Sequence, residues 1–110
     1  MIDWRSDVSA AIPQAVFSWP KTESADGTCS CLTASDTPET EADDTEYTSE
    51  VSVYVHYWHS DTDAYFDGIS AICDGMKRQG WRRVTEQDLF EQRNGRDGMN
   101  HRVMLFRKTF

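Results

Sequence analysis

Residues 46–59, EYTSEVSVYVHYWH, follow a period of two, with one face apolar from Val51 to Tyr57 and the other mixed. Tyr47, Ser49, Val51, Val53, Val55, Tyr57 and His59 fall on one side. Thr48, Glu50, Ser52, Tyr54, His56 and Trp58 fall on the other. A period of two is that of a strand, and the run from Val51 to Tyr57 predicts one apolar face. The pattern then changes period. In SDTDAYFDGISAICDGMKRQG, residues 60–80, Tyr65, Ile69, Ile72 and Met76 recur at helical spacing, and Phe66 and Cys73 widen the stripe. Ser60 is the expected N-cap, with Asp63 three residues on, as in a capping box. Lys77 and Arg78 suit the last turn, and Gly80 is the expected stop. Gly68 and Gly75 each weaken an isolated helix by about 1 kcal/mol relative to alanine, which packing against a sheet must offset.

Weaker patterns surround these two elements. DWRSDVSAA, residues 3–11, places Trp4, Val8 and Ala11 on one helical face, and Pro13 ends it. QAVFSW, residues 14–19, reads as a strand closed by Pro20. Residues 20–28 form a loop, with Asp26-Gly27 as a turn signal. CSCLTASD, residues 29–36, reads as a second strand with Cys29, Cys31 and Thr33 on one side. Residues 37–45, TPETEADDT, are expected to be an exposed, mobile acidic loop. WRRVTEQDLFEQ, residues 81–92, and MNHRVMLFRKT, residues 99–109, are the arms of a hairpin turning through RNGRDG. Apolar residues on both faces of the returning arm suit a central strand. The expected fold is a single α+β domain over residues 1–110. Its mostly antiparallel sheet has about four to five strands, with the 60–80 helix across one face and a short N-terminal helix beside it.

Charge adds an asymmetry. The 110-residue chain has a formal net charge of −8. Between Pro20 and Glu50 stand nine acidic residues and one basic residue. From Asp74 to Phe110 stand nine basic and five acidic residues. An acidic chain is repelled by phosphate backbones, so direct nucleic-acid binding is not expected. No apolar run is long enough to span a bilayer, and the first residues lack the basic and apolar regions of a signal peptide. Three cysteines, an odd number, suit reduced thiols in the cytosol.

Little in the sequence points to catalysis. Cys29 and Cys31 with His56 and His59 form the best metal-ligand set, two from each of two short pairs. Against a site, C-x-C is tighter than usual, and a step of three along a strand puts His56 and His59 on opposite faces. Cys73 falls on the apolar helix stripe, where a thiol acts as a small hydrophobe, and a nucleophile there needs His56, His59 or His101 beside it. Asp61 and Asp63 fit helix capping, and Asp67 fits a solvated face. No phosphate loop or nucleophile elbow is present, and no enzymatic activity or cofactor is expected.

A longer comparison adds a family. EYTSEVSVYVHYWHSDTDAYFDGISAICDGMKRQGWRRVTEQDLFEQ, followed by HRVMLFR, resembles the small tail-completion or tail-terminator-like proteins of long-tailed phages and prophages. The residues that carry the resemblance are Glu50, Val51, Val53, Val55 and Trp58, then Gly80, Trp81, Arg82 and Arg83. Asp88, Leu89, Phe90 and Glu91 continue it, and His101, Arg102, Val103 and Phe106 complete it. VFSWPKTES and CSCLTASD fit the family's earlier strand, loop and strand, so the likeness covers nearly the whole chain. Leu105-Phe106-Arg107 departs from the pattern, which often has an arginine before the aromatic, and the acidic loop is this chain's own.

The resemblance implies a structural protein, commonly a hexameric ring at the head-proximal end of a phage tail. It would stop tail-tube growth and meet the head connector. The implied partners are further copies of the chain, the tail-tube protein and the head-connector protein. The implied location is the cytoplasm during assembly, then the virion. An acidic loop and a basic hairpin on one protomer suit head-to-tail contacts. Tyr54, His56 and Trp58, expected on an exposed strand face, are the candidate interface residues, with Arg82, Arg83 and Arg102. The alternatives are a small acidic protein-binding or regulatory module and a Cys/His metal-site protein.

Overall fold

The computed structural model describes residues 3–20, 25–33, 50–93 and 96–110. Its elements are α1 (Trp4–Ala11), β1 (Ala15–Val16), β2 (Cys29–Thr33), β3 (Glu50–His59), α2 (Thr62–Arg78), β4 (Arg82–Arg93) and β5 (Arg96–Thr109). The strands form one sheet in the order β1-β2-β3-β5-β4, antiparallel except for the short β1–β2 pair. The fold is therefore α+β, with one main helix and a short N-terminal one, as the periodicities predict. Among the described residues, no helix is long and apolar enough to cross a membrane.

Period-two alternation decides which way β3 faces. Val53, Val55 and Tyr57 are buried beneath α2, and Val51 packs at the margin. Tyr65, Ile69, Ile72 and Met76 of α2 meet them, together with Met104 and Phe106 of β5 and Cys29 and Cys31 of β2. Val8 and Ile12 close one end of this core beside Trp81. Asp7 ties that end together. Its Oδ2 accepts from Trp81 Nε1 at 2.6 Å and from Lys108 Nζ at 2.9 Å.

Local details differ from the sequence expectations. The strand expected over 14–19 shrinks to Ala15–Val16. Phe17 turns to pack edge-on against Trp4, with centroids 5.6 Å apart, and Trp19 crosses to the sheet's other face. The cap of α2 is Asp61, whose Oδ2 accepts from Ala64 N at 2.9 Å. Ser60 is taken by the 25–28 turn, where Asp26 accepts from both its backbone N–H and its hydroxyl. Phe66, expected to widen the buried stripe, is half exposed. Strand β5 begins at Arg96, so Asp97-Gly98 continues a strand instead of making a turn. The acidic loop 37–45, residues 47–49 of the long alternation and the Asn94-Gly95 turn lie outside the described residues.

The two helix glycines have a packing reason. A Cβ on Gly75 would run into the backbone carbonyl of Ala11, and one on Gly68 into the Tyr57 ring. These are points where α1 and β3 approach α2 closely. On an exposed helix face, glycine to alanine gains about 1 kcal/mol. At Gly75 the obstacle is backbone, which has nowhere to turn, so overpacking outweighs propensity. Gly75→Ala is expected to destabilise by roughly 1–3 kcal/mol in urea unfolding. A variant as stable as the wild type would contradict this close approach.

Candidate functional site

The sheet face away from α2 holds an aromatic cluster set by strand register. Trp58 on β3 lies directly opposite His101 on β5, and their rings stack 4.4 Å apart at 18°. His56 stands two residues earlier on the same face, and its Nδ1 is 3.0 Å from His101 Nε2. On the far side of β5, β4 supplies Glu91. Its Oε2 lies 3.0 Å from His101 Nδ1 and accepts from Trp58 Nε1 at 3.2 Å. Trp19 closes over the group, edge-on to His56 at 4.8 Å and to Trp58 at 5.5 Å. Trp58 is thereby 1% exposed and His101 4%. This corrects the expectation that Trp58 is an exposed contact residue: Trp19, which parity along β3 alone does not reveal, covers it.

Glu91 Oε2 is within ion-pair distance of His101 Nδ1, and His101 Nε2 and His56 Nδ1 share one proton between them, the donor being set by the tautomer. Burial, and then the neighbouring His101, lower the His56 pKa to about 4, so His56 is neutral at pH 7. A carboxylate–imidazole–imidazole chain can hold and pass a proton, but catalysis also needs an accessible reacting group. Ser30, the cross-strand partner of His56, is fully buried.

The thiol–histidine set does not come together. Cys29 and Cys31 lie on the α2 side of β2, buried in the main core. Contact with Cys31, and then burial, push the Cys29 thiol far above its ordinary range, which holds it as a thiol. His56 is on the opposite face. His59 is at the strand end, where its Nδ1 accepts from Asp61 N at 3.0 Å. Among the described residues, no group of three or more potential ligands is positioned to hold a metal ion.

The basic candidates part company. Arg102 is spent within the chain. Its Nε donates to Asp88 Oδ1 at 2.5 Å and its Nη1 to Glu86 Oε1 at 2.7 Å, while Tyr65 Oη donates to the same Asp88 oxygen at 2.6 Å. Burial alone would raise the Asp88 pKa, but the Tyr65 hydroxyl and the Arg102 guanidinium outweigh it and leave it lowered. Arg102, expected as an interface cation, is thus paired within the chain as a strut across β4 and β5. Arg82 and Arg83 are exposed. Arg83 Nη1 reaches Glu86 Oε1 at 3.2 Å and Cys73 Sγ at 3.3 Å. Both arginines line a cleft of about 360 Å³ with Cys73, Lys77, Trp81 and Phe106. Tyr54 is 39% exposed on the face that carries the cluster, as expected.

The class defined by these features is an α+β sheet protein with one helical layer, a capped aromatic cluster behind it and a cationic cleft at one end. No protein-family model matches the chain, and no curated protein matches it.

The His56 shift fixes the direction of a pH effect. Unfolded His56 titrates near 6.5 and folded His56 near 4. Between those values the unfolded chain binds the extra proton, so stability falls as pH drops through the window. Asp88, with its lowered pKa, loses its contribution only below the ordinary 3.8. With partial exposure of His56 discounted, urea unfolding should show a loss on the order of 1–2 kcal/mol between pH 6.5 and pH 4. The slope should flatten in His56→Phe, and an unchanged slope in that variant would refute the assignment.

Proposed function

We propose that this chain is a non-enzymatic structural protein that closes side by side into a ring. It is of the kind that terminates or joins the head-proximal end of a long phage tail. The observation that carries this reading is the pair of sheet edges that no other strand covers among the described residues. Strand β4 is an edge strand of 12 residues, and Arg82 to Phe90 are exposed throughout. At the opposite edge β1 pairs only with Cys29 and Ser30, so among the described residues no strand lies outside Cys31–Thr33.

Free edges are templates for strand addition, and a monomer normally blunts them. Here irregularities between Arg83 and Thr85 and between Glu91 and Arg93 blunt β4 near both ends, while Thr85–Glu91 stays in unbroken register with β5. The two edges differ, so contact between them is heterologous and propagates head to tail. Such contacts give a ring when the rotation closes. The resemblance of the β3–α2–β4–β5 region to tail-terminator-like proteins makes six copies the expected number. The tail-tube and head-connector proteins are the expected partners. The expected place is the cytoplasm during assembly and the virion afterwards.

The β4–β5 hairpin supports the same reading. Strand β3 ends its pairing at His59↔Asn100, whereas β4 and β5 stay paired to Arg93↔Arg96. The hairpin therefore runs beyond the sheet as an arm that a neighbour can receive. Light scattering at high protein concentration and low salt should give a mass that is a discrete multiple of 12.6 kDa. A strictly monomeric mass, both alone and with the tail-tube protein from the same gene neighbourhood, would overturn the reading.

A further inference from the structure

The cleft beside β4 has the wrong charge for an acidic chain. Lys77 and the exposed Arg82 and Arg83 line it, and the buried rings of Trp81 and Phe106 form its apolar side. Among the described residues, the one carboxylate in contact with those cations is Glu86, on Arg83. Among the described residues, Lys77 and Arg82 have no ion-pair partner. The fit is to an extended acidic peptide: cations to pair with carboxylates, and rings to pack against its backbone and methyl groups.

The chain itself carries such a peptide. Residues 34–49, ASDTPETEADDTEYTS, hold six carboxylates (Asp36, Glu39, Glu41, Asp43, Asp44 and Glu46) and no basic residue. They join Thr33 at the end of β2 to Glu50 at the start of β3. Register places these ends level with the cleft. Glu50 pairs with Thr109, and Arg82 pairs with Arg107 two residues along the same strand. Cleft and segment are thus at the same end of the sheet, but Thr33 is on the β2 side and Arg82 on the opposite edge. Within one copy, three strand spacings, about 14 Å, separate β2 from β4. Across a side-by-side contact, the neighbour's Thr33 abuts β4 directly.

We infer that the Lys77–Arg82–Arg83 cleft receives the acidic segment 34–49 of the adjacent copy, as an electrostatic latch between protomers. This inference rests on the ring reading above. Its distinct content is the ligand of the cleft and the charge pairing that orients one copy on the next.

The test uses two full-length variants whose folding is checked by circular dichroism. One reverses the cleft (Lys77→Glu, Arg82→Glu, Arg83→Glu), and the other reverses the segment (Asp43→Lys, Asp44→Lys, Glu46→Lys). Each alone should shift to smaller species by light scattering at low salt, and an equimolar mixture should recover the wild-type mass. A labelled synthetic peptide of residues 34–50 should bind the segment variant. It should bind the cleft variant at least about tenfold more weakly, and the difference should vanish near 1 M salt, where the Debye length is about 3 Å.

Equal peptide affinity for the two variants would overturn the cleft assignment even if the wild type forms a ring. Peptide binding with no change in mass in either variant would mean that the cleft takes its own chain's segment, and would overturn the latch. Preference of the cleft for a duplex DNA oligonucleotide over the peptide would overturn the ligand class. A monomeric wild type that still binds the peptide at the cleft would sink the ring and with it the latch, but leave the acidic-peptide ligand class standing.

Discussion

One helix is about 10 Å across and strands are spaced about 4.8 Å apart, so a single helix covers about two strands. This sheet has five. The rest of the structure follows from how the chain manages that shortfall. Helix α2 covers β3 and β5 with its apolar stripe, and α1 extends the layer, held close through Gly75. Strand β4 lies at the margin of that layer and meets α2 through the Tyr65–Asp88 and Arg83–Cys73 contacts. Its polar sequence matches that position, and Tyr65, Arg102, Asp88 and Glu86 join it to β5 and α2 through hydrogen bonds rather than apolar contact.

Among the described residues no helix covers the other sheet face, and its cover is built from the chain's own aromatics. Trp19, arriving from a strand only two residues long, shelters Trp58 and the His56–His101 pair. Glu91 fixes the indole and the inner imidazole together. The result is a small polar–aromatic second core. Its hydrogen bonds orient the rings, and His56, with its lowered pKa, makes it sensitive to acid. A sheet protected locally on its back and, among the described residues, unpaired along the outer side of β4 and at Cys31–Thr33 is suited to lateral contact with further sheets.

Much of this was legible in the chain. Val51 to Tyr57 gave the direction of β3, and Tyr65, Ile69, Ile72 and Met76 gave α2, because each pattern depends on local geometry alone. What stayed hidden depends on register between distant segments. His101 carries no mark in the sequence that sets it opposite Trp58, or that sets Glu91 beside both. Arg102 reads as a surface cation until β4 pairs with β5 and brings Asp88 and Glu86 to it. The segment 14–19 reads as a strand by propensity, but packing of Phe17 on Trp4 and Trp19 on Trp58 won. The metal reading failed for a reason parity already gave: His56 and His59 point to opposite faces, and the two thiols share only one of them.

The central claim is that the edges of this sheet are its contact surfaces. Amide hydrogen exchange at increasing protein concentration tests that claim most directly. Association through the edges predicts protection that grows with concentration at Cys31–Thr33 and along Arg82–Arg93, with β3 and β5 unchanged because they are already paired on both sides. Exchange in β2 and β4 that is fast and independent of concentration would contradict it.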